Sequence, residues 1–462
     1  MSGMDSGNHT MSSSSSPQSP SPDLGQESKP SSAVELELQA LFEELSTATS
    51  VVNTIKSRIN LIAPVSHLPP ELLARIFLIL RGKQSISIMP RERNPDCPIF
   101  EYLGWIVVTQ VCSRWRRAAI DCPALWTRVT FDRGSRWADQ MLLRSKQAPV
   151  KISICQNNCD WDRKAMIHDA KRIAHHIPHT ASLTISVTKA ASVLDIFSQE
   201  LLRPAPILRT LSLAYVFGLR EHRGDVHIAP AELFANDTPC LREVSLHNVF
   251  IPWSSTLFKG LRSLQIWLPS GLRSPSQAGQ YAHFVPALTE FIDALDNMPA
   301  LQVLNVTRAL PSFSAANIPL FTMDRKVSLP QLRNLLFGGA ILDVALTLSL
   351  LAVPSEFNFG LCCTSCDDPT HTTNLFRIVS SHLGTDPIVA SGLSLTPSGC
   401  EIWGNMAFKS GEPLYFVFEF DPFVNGGDTM QQFFAALPQI EVSKIEVLNI
   451  SLNSSAWQRA LK

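Results

Sequence analysis

The sequence predicts a mixed α/β chain: an N-terminal helical module, then an irregular solenoid of helix–strand repeats around a parallel sheet. Three observations point there. Apolar residues recur at steps of three and four over residues 34–62 and stop at Pro64. Two further helical segments follow, the second rich in tryptophan and arginine. After about residue 200 a phrase of the form L-x-x-L-x-L recurs six times.

Bulk composition narrows the function classes. The 462 residues exceed one average domain. Hydrophobic residues make up 45 %, which suits a globular core, while charged residues, at 17 %, fall below the usual share of about 25 %. A net charge of −1 gives no global field toward nucleic acid or an anionic membrane. The opening residues do not have the basic-then-apolar form of a signal peptide. The longest apolar run, "GGAILDVALTLSLLAVP", is broken by Asp343, Thr347 and Ser349 and is shorter than the ~20 residues of a membrane span, so a buried helix is expected. The 10 cysteines are irregularly spaced, as reduced thiols of a cytoplasmic or nuclear protein would be.

Residues 1–32 are Ser/Pro-rich and too polar to offset their ordering entropy, so a disordered tail is expected. Ser16, Ser19 and Ser21 each precede a proline, the pattern of proline-directed phosphorylation, although a plain solvated tail is the simpler account of the composition. Residues 33–63 read as one amphipathic helix. Its stripe runs through Leu38, Phe42, Leu45, Thr49, Val52, Ile55, Ile59 and Ile62. It covers about four heptads, enough for a coiled-coil dimer, and equally suited to docking one helix on the body.

Residues 64–130 form the next module. In "SHLPPELLARIFLIL", Pro69 and Pro70 suit a first helical turn, where a missing N–H costs nothing. Leu72, Leu73, Ile76, Phe77 and Leu80 form a wide apolar face. A Gly/Pro/charge-rich loop over residues 81–101 follows, then a helix from about Tyr102 through "VCSRWRRAAI". There Val111, Trp115, Ala118 and Ala119 share a face, and the arginines solvate the other side. "DCPALW" ends the helix and "TRVTFD" reads as a strand.

Taken in order, "LPPELLARIF", "VCSRWRRAA" and "CPALW" resemble an F-box, and the chain is similar to the fungal group of F-box proteins. The resemblance implies binding to the Skp-type adaptor of SCF (cullin–RING) ubiquitin ligases. It implies that Leu68, Pro69, Leu72, Leu73, Ile76 and Phe77 build the adaptor-binding face and its support. Val111, Cys112, Trp115 and Trp126 would hold the helices together and contribute to the contact. The loop at 81–101 is longer than in the compact form of the module.

Residues 131–462 carry the repeated phrase. Its first leucine-type positions are Leu208, Leu241, Leu261, Leu301, Leu332 and Ile445, spaced by 33, 20, 40, 31 and 113 residues. Helical patterns often precede it, as in "LTEFIDALDNMPALQVLNV" and "MQQFFAALPQIEVSKIEVLNI". Each unit reads helix, turn, short strand, and stacking buries what one unit cannot. This is similar to leucine-rich repeats, without the asparagine that closes the usual turn. Alternation sends the two later leucine-type residues inward and places Ser212, Ser245, Gln265, Asn305, Leu336 and Asn449 on the open side. The residue after the first leucine is Arg209, Arg242, Arg262, Gln302, Arg333 and Glu446. An arginine column suits an acidic or phosphorylated partner; solvated arginines paired with local acids such as Glu243 account for it as well.

Sequence motifs give no catalytic centre. Cys362, Cys363, Cys366 and His371 in "CCTSCDDPTH" lack the second Cys pair of a zinc site. His175, His176 and His179 surround a helix end without a catalytic glutamate. No P-loop, nucleophile elbow or dinucleotide fingerprint is present. The expected protein is therefore a non-enzymatic substrate adaptor without cofactor or metal, its target bound by the repeat region. The alternative is a repeat scaffold with an F-box-like helical cap and no ligase.

Overall fold

Pro64 ends the first helix because the residue before a proline is driven out of helical geometry. Helix α1 spans Ser32–Ile62, and Ala63 is extended at φ −60° and ψ 134°. A 3-10 turn, Pro64–His67, follows, and the Ser66 hydroxyl donates to the Asn60 carbonyl. The computed structural model describes residues 32–83, 104–131, 134–156, 163–187, 197, 199–215, 226–269, 286–313, 326–354, 357–364 and 369–383, together with the strand segments 388–389, 392–396, 399–404, 414–419, 440–441 and 447–450. The predicted tail falls outside these residues, as does most of the predicted loop at 81–101. The chain divides into two units, Met1–Pro69 and Pro70–Lys462. No described helix is long and apolar enough to cross a membrane.

The second unit opens with helix α2, Pro70–Lys83, with Glu71 in its first turn and Arg81 and Lys83 in its last. Both charge placements complement the helix dipole. The expected single helix from Tyr102 to Ile120 is instead two pieces. Gly104–Gln110 is a 3-10 segment and α3 is Ser113–Ile120, separated by Cys112 in extended geometry at φ −157° and ψ 168°. Val111 therefore leaves the face on which helical spacing puts it.

Strand β1, Arg128–Thr130, closes this module and at the same time starts the sheet. It pairs in parallel with β2, Val150–Gln156, reached through α4, Ser135–Ser145. Helix α5, Arg163–His176, leads to β3, Thr180–Val187. Then come β4 (Thr210–Tyr215), β5 (Glu243–His247), β6 (Ser263–Trp267), β7 (Val303–Thr307), β8 (Asn334–Ala340) and β9 (Asn358–Thr364). These nine strands lie side by side in chain order, all parallel.

Beyond β9 the order changes. Strands β10 (Gly392–Thr396), β11 (Gly399–Gly404), β12 (Leu414–Glu419) and β13 (Val447–Ile450) complete a 13-stranded sheet in the order β9-β12-β11-β10-β13. β12 is parallel to β9, whereas β11 is antiparallel to both β12 and β10. Of the expected irregular helix–strand solenoid, the first nine strands form a parallel sheet, and the last four make the sheet mixed. The 113-residue gap before Ile445 contains this excursion. "LYFVFEF" forms β12, and the helix expected in "MQQFFAALPQIEV" lies outside the described residues.

The connections are also irregular. Helices α6 (Leu288–Asp296) and α7 (Ile341–Ser349) precede β7 and β9, and α8 is Pro369–Leu383. Where Leu241 and Leu261 are only 20 residues apart, a 3-10 turn at Thr256–Phe258 replaces the helix. A five-residue strand and a three-turn helix of about 11 residues would leave only about four of these residues for both turns. The long apolar run resolves into the end of β8, the nine-residue α7 and a strand at Leu351–Ala352. Asp343, buried in the first turn of α7, accepts from the Phe313 N–H at 2.7 Å.

The repeated phrase builds the core. Leu208, Leu241, Leu261, Leu301 and Leu332 are all buried, as are the later pairs Leu211/Leu213, Val244/Leu246, Leu264/Ile266, Leu304/Val306 and Leu335/Phe337. Each fully buried side chain of this size contributes about 1.5–3 kcal/mol. Gly338 shows how closely the strands pack: a Cβ there would lie 2.8 Å from Cγ2 of Thr307, its register partner on β7.

Candidate protein-docking surfaces

The first surface is built on α2. Leu73 and Phe77, four residues apart, point inward and have 0 % exposure. Phe77 packs on Trp115 of α3 with ring centroids 5.2 Å apart. Trp126 is 1 % exposed, meets Trp105 edge-on at 5.1 Å and lies under the Arg144 guanidinium at 4.4 Å. Its indole N–H donates to the Ala119 carbonyl at 2.8 Å. That carbonyl sits in the last turn of α3, where its helical donor would come from Pro123, which has none.

Two arginines fasten the module. Arg81 donates to the carbonyls of Ala124 and Leu125 and to the Thr127 hydroxyl, tying α2 to the turn that carries Trp126. Burial, and then repulsion from Arg128, lower its pKa. Arg116 donates to the Thr109 carbonyl at 2.7 Å and to Gln110 Oε1 at 3.1 Å, joining α3 to the preceding 3-10 segment. Arg116 thus does more than solvate the outer side of α3. Arg144 lies beyond the predicted bounds of the module, and the roles of Trp105 and Arg81 inside it rest on contacts distant in sequence, which spacing does not reveal.

With that support behind it, α2 turns Leu72, Ile76 and Ile79 outward, at 46 %, 47 % and 58 % exposure. They follow i, i+4, i+7 spacing and so line one face. Val111 is also exposed, whereas Cys112 and Trp115 are half-buried. Leu73, Phe77 and Trp126 present no surface and can only support the face. In the first unit, Leu68 is half-buried and Pro69 exposed.

The second surface runs across the sheet. Register places Ser212, Ser245, Gln265, Asn305 and Leu336 in one row, each half-buried between inward-facing apolar neighbours. Asn449 does not belong to it. Its partner Ser394 leads through Glu401, Val417, Cys362 and Gly338 to Thr307, two residues further along the strands. That neighbouring row also carries His247 and Trp267, stacked with centroids 6.4 Å apart. The position after the second inward residue would have identified this pair.

The arginine column exists as a backbone ladder. Arg242 N–H donates to the Arg209 carbonyl, Arg262 to Arg242, Gln302 to Arg262 and Arg333 to Gln302, at 2.7–2.9 Å. Neighbouring strands lie ~4.8 Å apart. Among the described residues none of Arg209, Arg242, Arg262 and Arg333 forms an ion pair. Arg242 donates to the Leu241 and Pro239 carbonyls, and Glu243 accepts from the Thr210 hydroxyl at 3.2 Å. Local neutralisation by Glu243 is thereby corrected. Glu446 lies outside the described residues.

The other polar clusters are structural in form. Arg172 binds Asp139 at 2.7 Å and the buried Asp169 at 2.8 Å, linking α4 to α5, and Ser135 also donates to Asp169. His176 Nδ1 lies 3.2 Å from His179 Nε2. Burial and the neighbouring histidines lower the His176 pKa to about 4. Cys362 and Cys363 are successive residues of β9 and so point to opposite faces; Cys366 lies outside the described residues. Among the described residues no group of three His, Cys, Asp or Glu is placed to hold a metal ion.

Residues 65–132 match the family described as F-box-like. The chain therefore carries an F-box-like domain, spanning the α2–α3 module and β1. Comparison with curated proteins gives no match to the chain.

Proposed function

We propose that this protein is a substrate-recognition adaptor of an SCF-type ubiquitin ligase, acting in the cytoplasm or nucleus without chemistry of its own. The observation that carries the reading is the division of α2 within the F-box-like match. Leu73 and Phe77 anchor it, while Leu72, Ile76 and Ile79 face outward as an apolar row. An apolar row on a helix backed by buried side chains suits a protein partner, and the F-box-like match supports a Skp-type adaptor as that partner. The sheet, in this reading a leucine-rich-repeat-like region, holds the target. Arg209, Arg242, Arg262 and Arg333 attract an acidic or phosphorylated segment, and Ser245, Gln265 and Asn305 add polar contacts. Because β1 belongs to both module and sheet, the target is held rigidly relative to the adaptor.

Reconstitution tests this reading. The full chain, a recombinant Skp-type adaptor and a cullin N-terminal region should co-elute as one complex. A folded chain that elutes alone would leave a repeat scaffold with a helical cap. For the target surface, a fluorescent poly-glutamate peptide should bind the wild type, lose affinity as salt rises, and fail to bind after charge reversal of Arg209, Arg242 and Arg262. Equal binding to the reversed variant would remove the acidic-target assignment.

A further inference from the structure

Helix α1 leaves its apolar residues uncovered: Leu38, Leu45, Ile55 and Ile59 are 47 %, 62 %, 50 % and 62 % exposed. Its periodicity is stricter than a general amphipathic stripe. Starting at Leu38, the first core position of each heptad holds Leu38, Leu45, Val52 and Ile59. The second holds Leu41, Ala48, Ile55 and Ile62, and Val34 extends the series upstream. Steps of three and four alternate without a break, and no charged residue enters the seam. A strict seven-residue repeat is the pattern of a helix that supercoils around another helix.

The charges identify that helix. The described helix has six: Glu35, Glu37, Glu43 and Glu44 in its first half, Lys56 and Arg58 in its second. We infer that α1 pairs antiparallel with α1 of a second copy of this chain. With Leu38 opposite Ile55 of the second copy and Leu45 opposite its Ala48, the whole seam is in register. On the flanks, where facing positions are two residues out of level with the seam, that register brings Glu37 beside Arg58 of the second copy and Glu35 beside its Lys56. Two-fold symmetry repeats both pairs. The four flanking charges nearest the helix ends are all matched, and the two helix dipoles oppose. A parallel pair would stack the acidic halves together and the basic halves together. Sliding the antiparallel pair by one heptad puts Lys56 opposite Phe42 and loses a charge pair. Charge and heptad therefore select one partner, one direction and one register, without reference to the adaptor reading.

The test uses the full chain. Sedimentation equilibrium should give about twice the 51.0 kDa chain mass. Glu35→Lys with Glu37→Lys should weaken association by about tenfold or more. Adding Lys56→Glu and Arg58→Glu should restore it, with circular dichroism reporting that helix content is retained in each variant. Zero-length carbodiimide coupling should join Glu35 to Lys56 in a covalent dimer. Within one helix these residues are about 31 Å apart, so the bond forms only between copies. A chain that stays monomeric at tens of micromolar overturns the inference. So does a dimer indifferent to Glu35→Lys/Glu37→Lys, which is the behaviour of a parallel pair.

Discussion

Trp126→Phe isolates what holds the F-box-like module together. The indole N–H is the partner of the Ala119 carbonyl, which Pro123 leaves without a helical donor. Phenylalanine keeps an aromatic ring and removes that donor. An unsatisfied buried carbonyl costs about 1–3 kcal/mol. The smaller ring leaves a void worth about 1 kcal/mol. Weaker attraction to Arg144, now 4.4 Å above the indole, adds about 0.5 kcal/mol. The expected destabilisation is about 2.5–4.5 kcal/mol. Urea denaturation followed by circular dichroism reads it as a lower midpoint at unchanged slope. Because β1 runs from this module into the sheet, helical and sheet signals should shift together. A loss below about 0.5 kcal/mol would refute the capping argument. A shift confined to the helical signal would refute the continuity of module and sheet.

Three further outcomes follow from the packing. Gly338→Ala should destabilise by about 1–3 kcal/mol, because the new methyl lands 2.8 Å from Thr307 Cγ2; Thr307→Ser in the same chain should recover part of the loss in thermal denaturation. Arg172→Ala should cost about 3 kcal/mol by stranding the buried Asp169, while Asp139→Asn, at a 42 % exposed partner, should cost well under 1 kcal/mol in the same urea assay. His176 is kept neutral in the fold, with a pKa of about 4 against an ordinary 6.5. Below pH 6.5 the unfolded chain therefore takes up a proton that the folded chain refuses. This stability contribution is complete above pH 6.5 and is lost as pH falls toward 4, so His176→Gln should flatten the pH dependence of stability in that window.

Much of this was legible because it rests on local periodicity. The spacing of Leu72, Leu73, Ile76 and Phe77 marks a wide apolar helix face, and the structure divides it into a buried and an exposed half. The phrase around Leu208, Leu241, Leu261, Leu301 and Leu332 predicts buried strand positions and a polar row between them, and both are found. What sequence reading missed depends on partners distant in the chain. Cys112 breaks a helix that periodicity alone continues. The antiparallel β11 inserts between β12 and β10 through pairings no local pattern encodes, and it moves Asn449 into another row. Arg81 reads as a loop-edge charge until the turn at Ala124 folds against it.

The most direct test of the central claim is co-precipitation of the full chain with a recombinant Skp-type adaptor, beside Leu72→Asp and Leu143→Asp. Leu72 is on the proposed docking face; Leu143, 71 % exposed on α4, is not. The account predicts capture by the wild type and by Leu143→Asp. It predicts at least about thirtyfold weaker capture by a Leu72→Asp chain with unchanged circular dichroism. Equal capture of all three, or none by a folded wild type, would contradict it.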